Sequence, residues 1–363
     1  MRHGTYLDID LGKIRENSRR VKDLCDEQGI EVLGVTKGFS AIPDIVQAMS
    51  DGGIEKFADS RMENIAALRA AGFRQEMTLL RIPMFSQAEY VVRYAECSLN
   101  SELSVIKELH REALRQDKCH NVILMVDIGD LREGVMPEDA DVTVRSILEL
   151  EGVRLAGIGT NMGCFGGILP TEKNLSNLVA LSADLEKKTG LPMSTVSGGG
   201  TSSLLLVKEH RMPAGITQLR IGEGILLGTD STHDSAIPWL LQDAFRLSSE
   251  IVEIKEKPSV PIGEIGKDAF GNTPHFEDKG IRRRAIVAIG RQDTPPNGIT
   301  PVDPGINILG ASSDHMILDI SDTQQTYHVG DQIGFRLSYH GLLSMCNSDY
   351  IYRHYRNTQY PQS

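Results

Sequence analysis

The sequence predicts an α/β fold, a TIM-type (β/α)8 barrel followed by a C-terminal mainly-β domain. Between residues 30 and 225, eight short apolar runs alternate with amphipathic segments of helical period. After residue 240, apolar residues alternate in period two between Gly, Pro and Asp turns, which is typical of antiparallel strands. Because neighbouring parallel strands need a helix to return the chain, the strand–helix repeats favour a closed barrel.

The apolar runs are the predicted barrel strands, and each ends on polar or glycine residues. In chain order they are VLGVTK (32–37), KFADS (56–60), TLLRI (78–82), CSLN (97–100), VILMVDIG (122–129), RLAGIGTN (154–161), MSTVSGG (193–199) and QLRIGEG (218–224). We therefore predict that residues 10–235 form the barrel. Residues 236–363, together with residues 1–9, are assigned to the β domain.

Helical patterns lie between these runs. SELSVIKELHREALRQ (101–116) repeats apolar residues at helical spacing, and LSNLVALSADLEKKTG (175–190) ends on a glycine stop. Pro43 and Pro170 fall where helices begin. The predicted strands of the second domain lie in FRLSSEIVEIKEK (245–257), RRAIVAIGRQD (283–293), NILGASSDHMILDIS (307–321) and DQIGFRLS (331–338).

The charge of the chain limits its partners. The 363 residues carry a formal net charge of -11 with no basic run, so nucleic acid and anionic membranes are poor partners, whereas a small cationic substrate is favoured. The opening MRHGTYLDIDL lacks the apolar core of a signal peptide, and no stretch of roughly 18 apolar residues occurs. We expect a cytoplasmic protein.

The cysteines indicate a reducing compartment. The chain has 5 cysteines, an odd number, and no C-x-x-C pair, which argues against a disulfide framework and against a structural zinc site. His315, His340 and Cys346 show no ligand pair at helical or hairpin spacing, so we expect no metal site.

The lysine that closes the first run is the leading functional candidate. In a parallel barrel the carboxyl ends of the strands form the active-site face, so polar residues that close the runs converge there. The neighbours expected for Lys37 are Arg81, Asn100, Asp127, Asn161, Ser197 and Arg220. The stem of Lys37 is expected to lie beside Val35, with its amine in the partly buried mouth of the barrel. There the amine should have a lowered pKa, which suits a Schiff base with an aldehyde cofactor. The alternative is that Lys37 has no such neighbours and is an ordinary charged side chain exposed to solvent.

A glycine-rich turn offers a place for the phosphate of pyridoxal phosphate. SGGGTSSLL (197–205) leads three glycines into the start of a helix, where amides and hydroxyls are available to an anion. The last run, QLRIGEG, carries Arg220 among apolar residues and then Gly222. The alternative for Arg220 is a barrel-wall arginine paired with a nearby carboxylate.

Four segments, VTKG, DIGDLREG, SGGGTSSL and LRIGEGILLG, together resemble the alanine-racemase-type, fold III pyridoxal-phosphate enzymes, and most of all their ornithine-racemase-like branch. The resemblance extends from YLDIDLGKIRENSRRV (6–21) to SSDHMILD and VGDQI in the C-terminal domain. It implies that Lys37 holds the cofactor covalently and is the base on one face of the substrate. The further cofactor contacts that it implies are Arg132, Asn161, Ser197, Gly199, Thr201, Arg220, Gly222 and Glu223.

The resemblance also implies a choice of reaction. It places Arg132 beside the phenolic oxygen of the cofactor and Arg220 opposite the pyridine nitrogen. An arginine does not release its proton, so the ring nitrogen stays unprotonated and the ring is a weaker electron sink. That favours removal and return of the α-proton over decarboxylation or transamination.

The sequence departs from the family in the substrate-binding segments. Arg291, in IGRQDT, replaces the tyrosine that alanine racemases use as the second base, and a guanidinium with a pKa above about 12 is a poor base. GASSDH (310–315) resembles both the carboxylate-binding segment of the racemases and the GPTCDG stretch of ornithine decarboxylases. By that resemblance Ser313 takes the proton-donor position and Asp314 binds a distal amine, while Ser312 and Arg291 complete the substrate contacts. A polar turn is the alternative for SSDH.

The predicted function is racemisation of a basic amino acid, ornithine or lysine, by two-base transfer of the α-proton. The resemblance implies a homodimer in which each β domain completes the active site of the partner subunit. Ala41 in place of a phosphate-binding tyrosine, and Asn161 in place of a histidine, speak against strict alanine racemisation. The alternatives are a fold III lyase (decarboxylase or aldolase), an alanine or broad-specificity racemase, and a non-catalytic cofactor carrier. The extra β domain argues against the carrier.

Overall fold

The computed structural model of the protein describes residues 4–360, which form two compact units. The barrel unit is Leu11–Gln242, and the β domain comprises the N-terminal strand β1 (Thr5–Asp10) and Asp243–Thr358. The chain leaves the barrel unit a few residues after position 235, where the sequence placed the boundary. The intervening residues stay with the barrel because Leu241 exchanges hydrogen bonds with the side chain of Asn17.

Eight parallel strands close into a barrel, which confirms the predicted fold. Their order around the barrel is their order in the chain, and the last strand pairs with the first. Each of the eight predicted runs overlaps one of them, and four of the strands begin one or two residues before the run. The barrel strands are β2 (Glu31–Val35), β3 (Lys56–Asp59), β4 (Met77–Leu79), β5 (Cys97–Asn100), β6 (His120–Met125), β7 (Val153–Gly159), β8 (Thr195–Ser197) and β9 (Gln218–Ile221).

Helices connect the barrel strands, and their ends follow local sequence signals. Pro43 is the first residue of its helix, and Thr171, next to Pro170, forms a capping box with Asn174. Gly190 ends the same helix with φ 72°, which glycine adopts without strain. The helices are α1 (Leu11–Asp26), α2 (Pro43–Asp51), α3 (Met62–Ala70), α4 (Ala88–Tyr94), α5 (Leu103–Arg115), α6 (Ala140–Leu148), α7 (Glu172–Thr189), α8 (Leu204–Lys208) and α9 (Glu223–Leu227).

Two clusters of buried apolar side chains fill the barrel interior. They are Leu33, Val35 and Ala58 in one, and Cys97, Leu99, Ile123 and Met125 in the other. Asn100 follows Leu99 on β5, so strand alternation turns it to the opposite face. Its amide donates to the carbonyl and hydroxyl oxygens of Ser98, at 2.9 and 3.0 Å. The prediction that Asn100 joins the barrel mouth is therefore wrong.

The C-terminal domain is built on one sheet of mainly antiparallel strands, as predicted. After the short hairpin of β10 (Thr229–Asp230) and β11 (Ser235–Ala236), the chain enters this sheet through its longest strand. The strands are β12 (Phe245–Pro258), β13 (Ile281–Val287), β14 (Ile299–Pro301), β15 (Asn307–Ala311), β16 (Met316–Asp319), β17 (Gln332–Leu337) and β18 (Tyr352–Arg356). The main path runs β14–β17–β12–β13–β16–β15, and β1 joins it by pairing with β12 and, in parallel, with β18.

In the part of the chain that the structure describes, four elements of this domain have no counterpart among the predicted strands and helices. They are β1, β14, β18 and the helix α10 (Tyr339–Asn347). β14 is too short to show a period, and β18 reads YRHYR, with no aliphatic residue. Within residues 4–360, no helix combines the length and apolar character needed to cross a membrane.

The stability of the barrel unit depends on a buried asparagine in α1. The Asn17 amide donates to the carbonyls of Ile225 and Leu241, at 3.0 and 2.8 Å, and accepts from the Leu241 amide at 2.7 Å. Asn17→Ala leaves these buried backbone groups unpaired, so we expect a loss of about 2–4 kcal/mol in the free energy of unfolding. Urea unfolding of the variant, beside exposed Gln47→Ala, measures it. Equal stability of the two variants would contradict this reading.

Candidate active site

Lys37 lies in a sharp turn immediately after β2. The strand ends at Val35, and Lys37 begins a one-turn 3-10 helix that ends at Phe39. The carbonyl of Thr36 accepts from the amides of Phe39 and Ala41, at 3.3 and 3.1 Å, which folds the backbone back on itself. Burial lowers the pKa of the Lys37 amine, and nearby Arg132 and Arg220 lower it further. The isolated, solvated lysine is therefore excluded.

A buried carboxylate fixes the same turn. Asp59, the last residue of β3, accepts hydrogen bonds from the hydroxyl of Thr36 at 2.5 Å, the amide of Arg61 at 2.8 Å and the side chain of Asn64 at 3.1 Å. Burial raises the pKa of Asp59, and these donors together with Lys37 oppose that shift. Asp59 thus holds the start of the turn and places a negative charge near the lysine.

Arg220 is buried at the end of β9 and makes no direct contact with a carboxylate among the described residues. Its guanidinium donates to the Ser197 hydroxyl at 2.5 Å, to the Thr160 carbonyl at 2.7 Å and to the Asn161 side-chain oxygen at 2.7 Å. Burial lowers its pKa to about 10. The alternative of an arginine paired with a carboxylate in the barrel wall is wrong.

Asn161 connects Arg220 to a second charged pair. While its oxygen accepts from Arg220, its amide donates to the carboxylate of Glu133. Glu133 also binds Arg132, whose Nη2 is 2.5 Å from the carboxylate, and this contact raises the pKa of Arg132. The structure therefore brings Arg132, Asn161, Ser197 and Arg220 together, as predicted, and adds Glu133 as the residue between them.

The glycine-rich turn meets the start of α9. Gly199 has φ +103°, its carbonyl accepts from the Arg220 amide at 3.0 Å, and the Thr201 hydroxyl accepts from the Gly224 amide at 3.1 Å. A Cβ on Gly222 would approach Cβ of Val35 to 3.1 Å, so glycine preserves the close approach of these segments. The two turns form a compact, glycine-lined surface suited to the phosphate of a cofactor.

Glu223 is turned away from this surface. Its carboxylate accepts from the hydroxyls of Thr229 and Ser231, both at 2.8 Å, and burial raises its pKa. The carboxylate of Glu223 is therefore already engaged, and only its backbone lies at the glycine-lined surface.

Two buried aspartates organise the loops at the barrel mouth: Asp127 bonds within the loop after β6, and Asp130 joins this loop to the loop after β7. Asp127 accepts from the amides of Gly129 and Leu131, at 2.8 and 3.1 Å. Asp130 accepts from the amide of Phe165 at 3.0 Å, in the loop that follows β7. This loop also carries Cys164, whose side chain lies near those of Lys37, Arg132 and Arg220. Sequence reasoning missed Glu133 and Cys164; the pairing of Glu133 with the neighbouring Arg132 was the available signal.

The remaining predicted site residues lie together in the β domain. The amides of Arg291 and Gln292 donate to the carbonyls of Ser312 and Ser313, at 2.8 and 3.0 Å, which joins two turns. A Cβ on Gly290 would lie 2.1 Å from the Ser313 carbonyl oxygen, so this contact requires glycine. The side chains of Ser312, Ser313 and Asp314 are exposed.

Arg291 is held by an aromatic ring and a carbonyl. Its guanidinium lies 4.4 Å from the centre of the Phe270 ring, and its Nε donates to the Ala311 carbonyl at 3.1 Å. Together with Ser312, it lines a cavity of about 840 Å³ within the β domain. Asp293, two residues after Arg291, accepts from the Ser348 hydroxyl at 2.7 Å.

A metal centre finds no geometric support in residues 4–360, where no three His, Cys, Asp or Glu side chains form a group able to hold an ion. The charged groups at the barrel mouth are instead arranged around Lys37 and Arg220. This donor set suits an organic anion that carries a phosphate and a carbonyl group.

Comparison with known proteins gives full-length relatives. The ornithine racemase of Acetoanaerobium sticklandii is 45% identical over 346 residues, which cover 95% of this chain and 98% of that protein. The lysine racemase of Thermotoga maritima is 41% identical over 350 residues, covering 96% and 97%. Both alignments include the barrel and the β domain.

The fold has a close structural counterpart. The structure of alanine racemase from Bartonella henselae with covalently bound pyridoxal phosphate superposes with a TM-score of 0.75 at 17% sequence identity. The superposition covers 98% of this chain and 100% of that one. The profile of the alanine racemase N-terminal domain also matches residues 9–230. With the full-length relatives, these matches show that the chain belongs to the alanine racemase family.

Proposed function

We propose that the protein is a pyridoxal-phosphate-dependent racemase of basic amino acids that interconverts L- and D-ornithine and accepts lysine. The observation that carries the proposal is the buried guanidinium of Arg220, held by neutral oxygens where the resemblance places the ring nitrogen of the cofactor. The similarity to ornithine racemase and lysine racemase supports the substrate class. A net charge of -11 favours a cationic substrate.

The barrel mouth fits pyridoxal phosphate. Lys37 offers a buried amine of lowered pKa for the aldehyde, and the surface at Gly199, Thr201 and Gly222 offers backbone amides to the phosphate. Arg132, Asn161, Ser197 and Arg220 line the space expected for the ring. When bound, the cofactor supplies an electron sink that makes the α-proton of an amino acid acidic.

Proton transfer in this proposal uses one group on each face of the substrate. Lys37 takes or returns the α-proton on one face, since its lowered pKa makes the neutral amine more available than that of an ordinary lysine. Ser313 from the β domain serves the other face, and its exposure leaves the hydroxyl accessible. Arg220 keeps the ring a moderate electron sink, which favours reprotonation over loss of carbon dioxide.

Substrate recognition in this proposal comes from the two joined turns of the β domain. Ser312 and Arg291 bind the α-carboxylate, because both carry donors and a guanidinium matches a carboxylate. Asp314 binds the distal ammonium of ornithine or lysine as a charge-assisted hydrogen-bond partner. The exposed carboxylate of Asp314 is unusual for an alanine pocket and supports the choice of a diamino acid.

The proposal includes a homodimer in which each β domain completes the active site of the partner subunit. The exposure of Ser312, Ser313 and Asp314 in the described chain supports it, because polar substrate ligands need to be covered when they act. A cytoplasmic location is proposed as well. All five cysteines are free, which supports a reducing compartment.

Proton NMR in D₂O, followed by chiral chromatography, tests the function. With pyridoxal phosphate and L-ornithine, we expect the α-proton signal to disappear while D-ornithine forms. Ser313→Ala should exchange the α-proton at one face only and lose inversion, whereas Ser344→Ala should behave like the wild type. Carbon dioxide or an aldehyde among the products would indicate a lyase, and absence of exchange with any amino acid would indicate a carrier.

Lys37 is expected to be the lysine that binds the cofactor. After incubation with pyridoxal phosphate and reduction with borohydride, mass spectrometry should find the adduct on Lys37 in the wild type. Lys37→Ala should lose the adduct and the visible absorbance of the bound cofactor, whereas Lys107→Ala, exposed on α5, should keep both. An undiminished adduct in Lys37→Ala would assign the role to another lysine.

Asp314 is expected to set the preference for a basic substrate. Asp314→Asn removes the charge that pairs with the distal ammonium, so kcat/KM for ornithine should fall about 10- to 100-fold. The low rate expected with alanine, which lacks that ammonium, should change little. Steady-state racemisation of ornithine and alanine by the wild type and the variant measures how the ratio of the two kcat/KM values changes. A loss of equal size for both would remove Asp314 from substrate recognition.

A further inference from the structure

A chain of hydrogen bonds runs through the barrel from Arg220 to the opposite end of the strands. Arg220 donates to Ser197 at 2.5 Å, Ser197 donates to the Gln218 oxygen at 3.0 Å, and the Gln218 amide donates to Glu31 at 3.0 Å. Glu31 pairs with Lys56 at 2.8 Å. We call these five residues the barrel relay. Gln218, Glu31 and Lys56 are the first residues of β9, β2 and β3.

The relay has only one consistent direction. A guanidinium can only donate and a carboxylate can only accept, so the amide of Gln218 must point to Glu31 and its oxygen to Ser197. Ser197 must then donate to Gln218 and accept from Arg220. Every neutral group is oriented by the two charged ends, and each bond polarises the next.

A shorter connection of the same kind lies on the other side of Arg220. Asn161 accepts from the guanidinium at 2.7 Å and donates to Glu133. Arg220 therefore lies between two carboxylates, Glu133 and Glu31, and touches neither of them. Glu133 lies in the loop after β6, at the mouth, whereas Glu31 is the first residue of β2, at the floor of the barrel.

We propose that Gln218 and Glu31 are positioning residues for the reaction, because through Ser197 they fix the orientation of Arg220 and stabilise its charge at the cofactor ring. This inference rests on the proposed function, in which Arg220 faces the ring nitrogen. Ser197 and Gln218 are buried, with 0% and 6% exposure, so water does not compensate for a broken bond.

Groups outside the relay also act on its two ends. At the mouth, the pKa of Arg220 is affected by Glu133, Arg132 and Cys164, which lie in the loops. At the floor, Lys56 pairs with Glu76 at 3.2 Å as well as with Glu31. Glu31 and Glu76 are similarly exposed, at 39% and 38%, but only Glu31 binds Gln218. Glu76→Gln is therefore a matched control for Glu31→Gln.

The test is a pH titration of the visible absorbance of the bound cofactor in the holoenzyme, without any amino acid. Removing the negative charge of Glu31 makes it less favourable for groups at the mouth to carry a positive charge. Glu31→Gln should therefore lower the midpoint pH of the absorbance titration by ~0.5 unit. Gln218→Met, which breaks the relay, should lower it in the same direction. Glu76→Gln should leave it unchanged, and thermal unfolding verifies that each variant is folded.

A double exchange of the two residues should shift the midpoint pH in the opposite direction. Glu31→Gln combined with Gln218→Glu keeps the composition and moves the carboxylate one step closer to Arg220, so the midpoint should rise above that of the wild type. Equal shifts in Glu31→Gln and Glu76→Gln, or a double exchange that lowers the midpoint, would overturn the relay. Because no substrate is added, this result is independent of the exchange test of racemisation.

Discussion

The structure of the barrel mouth depends on the burial of one guanidinium. Arg220 is only 6% exposed, and a buried arginine that retains its charge needs hydrogen bonds to all sides. Its partners are a serine hydroxyl, a backbone carbonyl and an amide oxygen, so no carboxylate neutralises it directly. The positive charge therefore remains available to a ligand. Burial is the main cause of the lowered pKa of Lys37, and the nearby cation Arg220 adds to it, because a second positive charge disfavours a charged amine.

The fold was largely predictable because its signals are local. Each barrel strand is a short apolar run followed by a stop, and Pro43 and Gly190 mark helix ends through their own backbone preferences. Asn100 shows the limit of this reasoning: it closes a run, but strand alternation turns it away from the interior. Which face of β5 points into the barrel is settled only when the strand pairs with its neighbours in the closed sheet, and a run of four residues does not reveal it.

The interactions of the site were less predictable, because they join residues that are far apart in the chain. Gln218 and Glu31 are separated by 187 positions and become neighbours only when β9 pairs with β2 to close the barrel. Thr36 and Asp59 meet in the same way across β2 and β3. The sequence marked residues at the carboxyl ends of the strands, Asn161 and Ser197 among them, but Gln218, at the start of β9, carries no distinguishing pattern.

The two joined turns of the β domain carry hydrogen-bond donors on some side chains and a hydrogen-bond acceptor on another. This arrangement is the basis of the proposed substrate. Arg291 can only donate protons to hydrogen bonds, so it suits a carboxylate and is a poor choice for the base that a tyrosine provides elsewhere in the family. Asp314 can only accept when ionised, so it suits an ammonium. A backbone hydrogen bond joins the turn of Arg291 to that of Ser312. In the proposed function, a substrate with a carboxylate at one end and an ammonium at the other is therefore favoured by its charges.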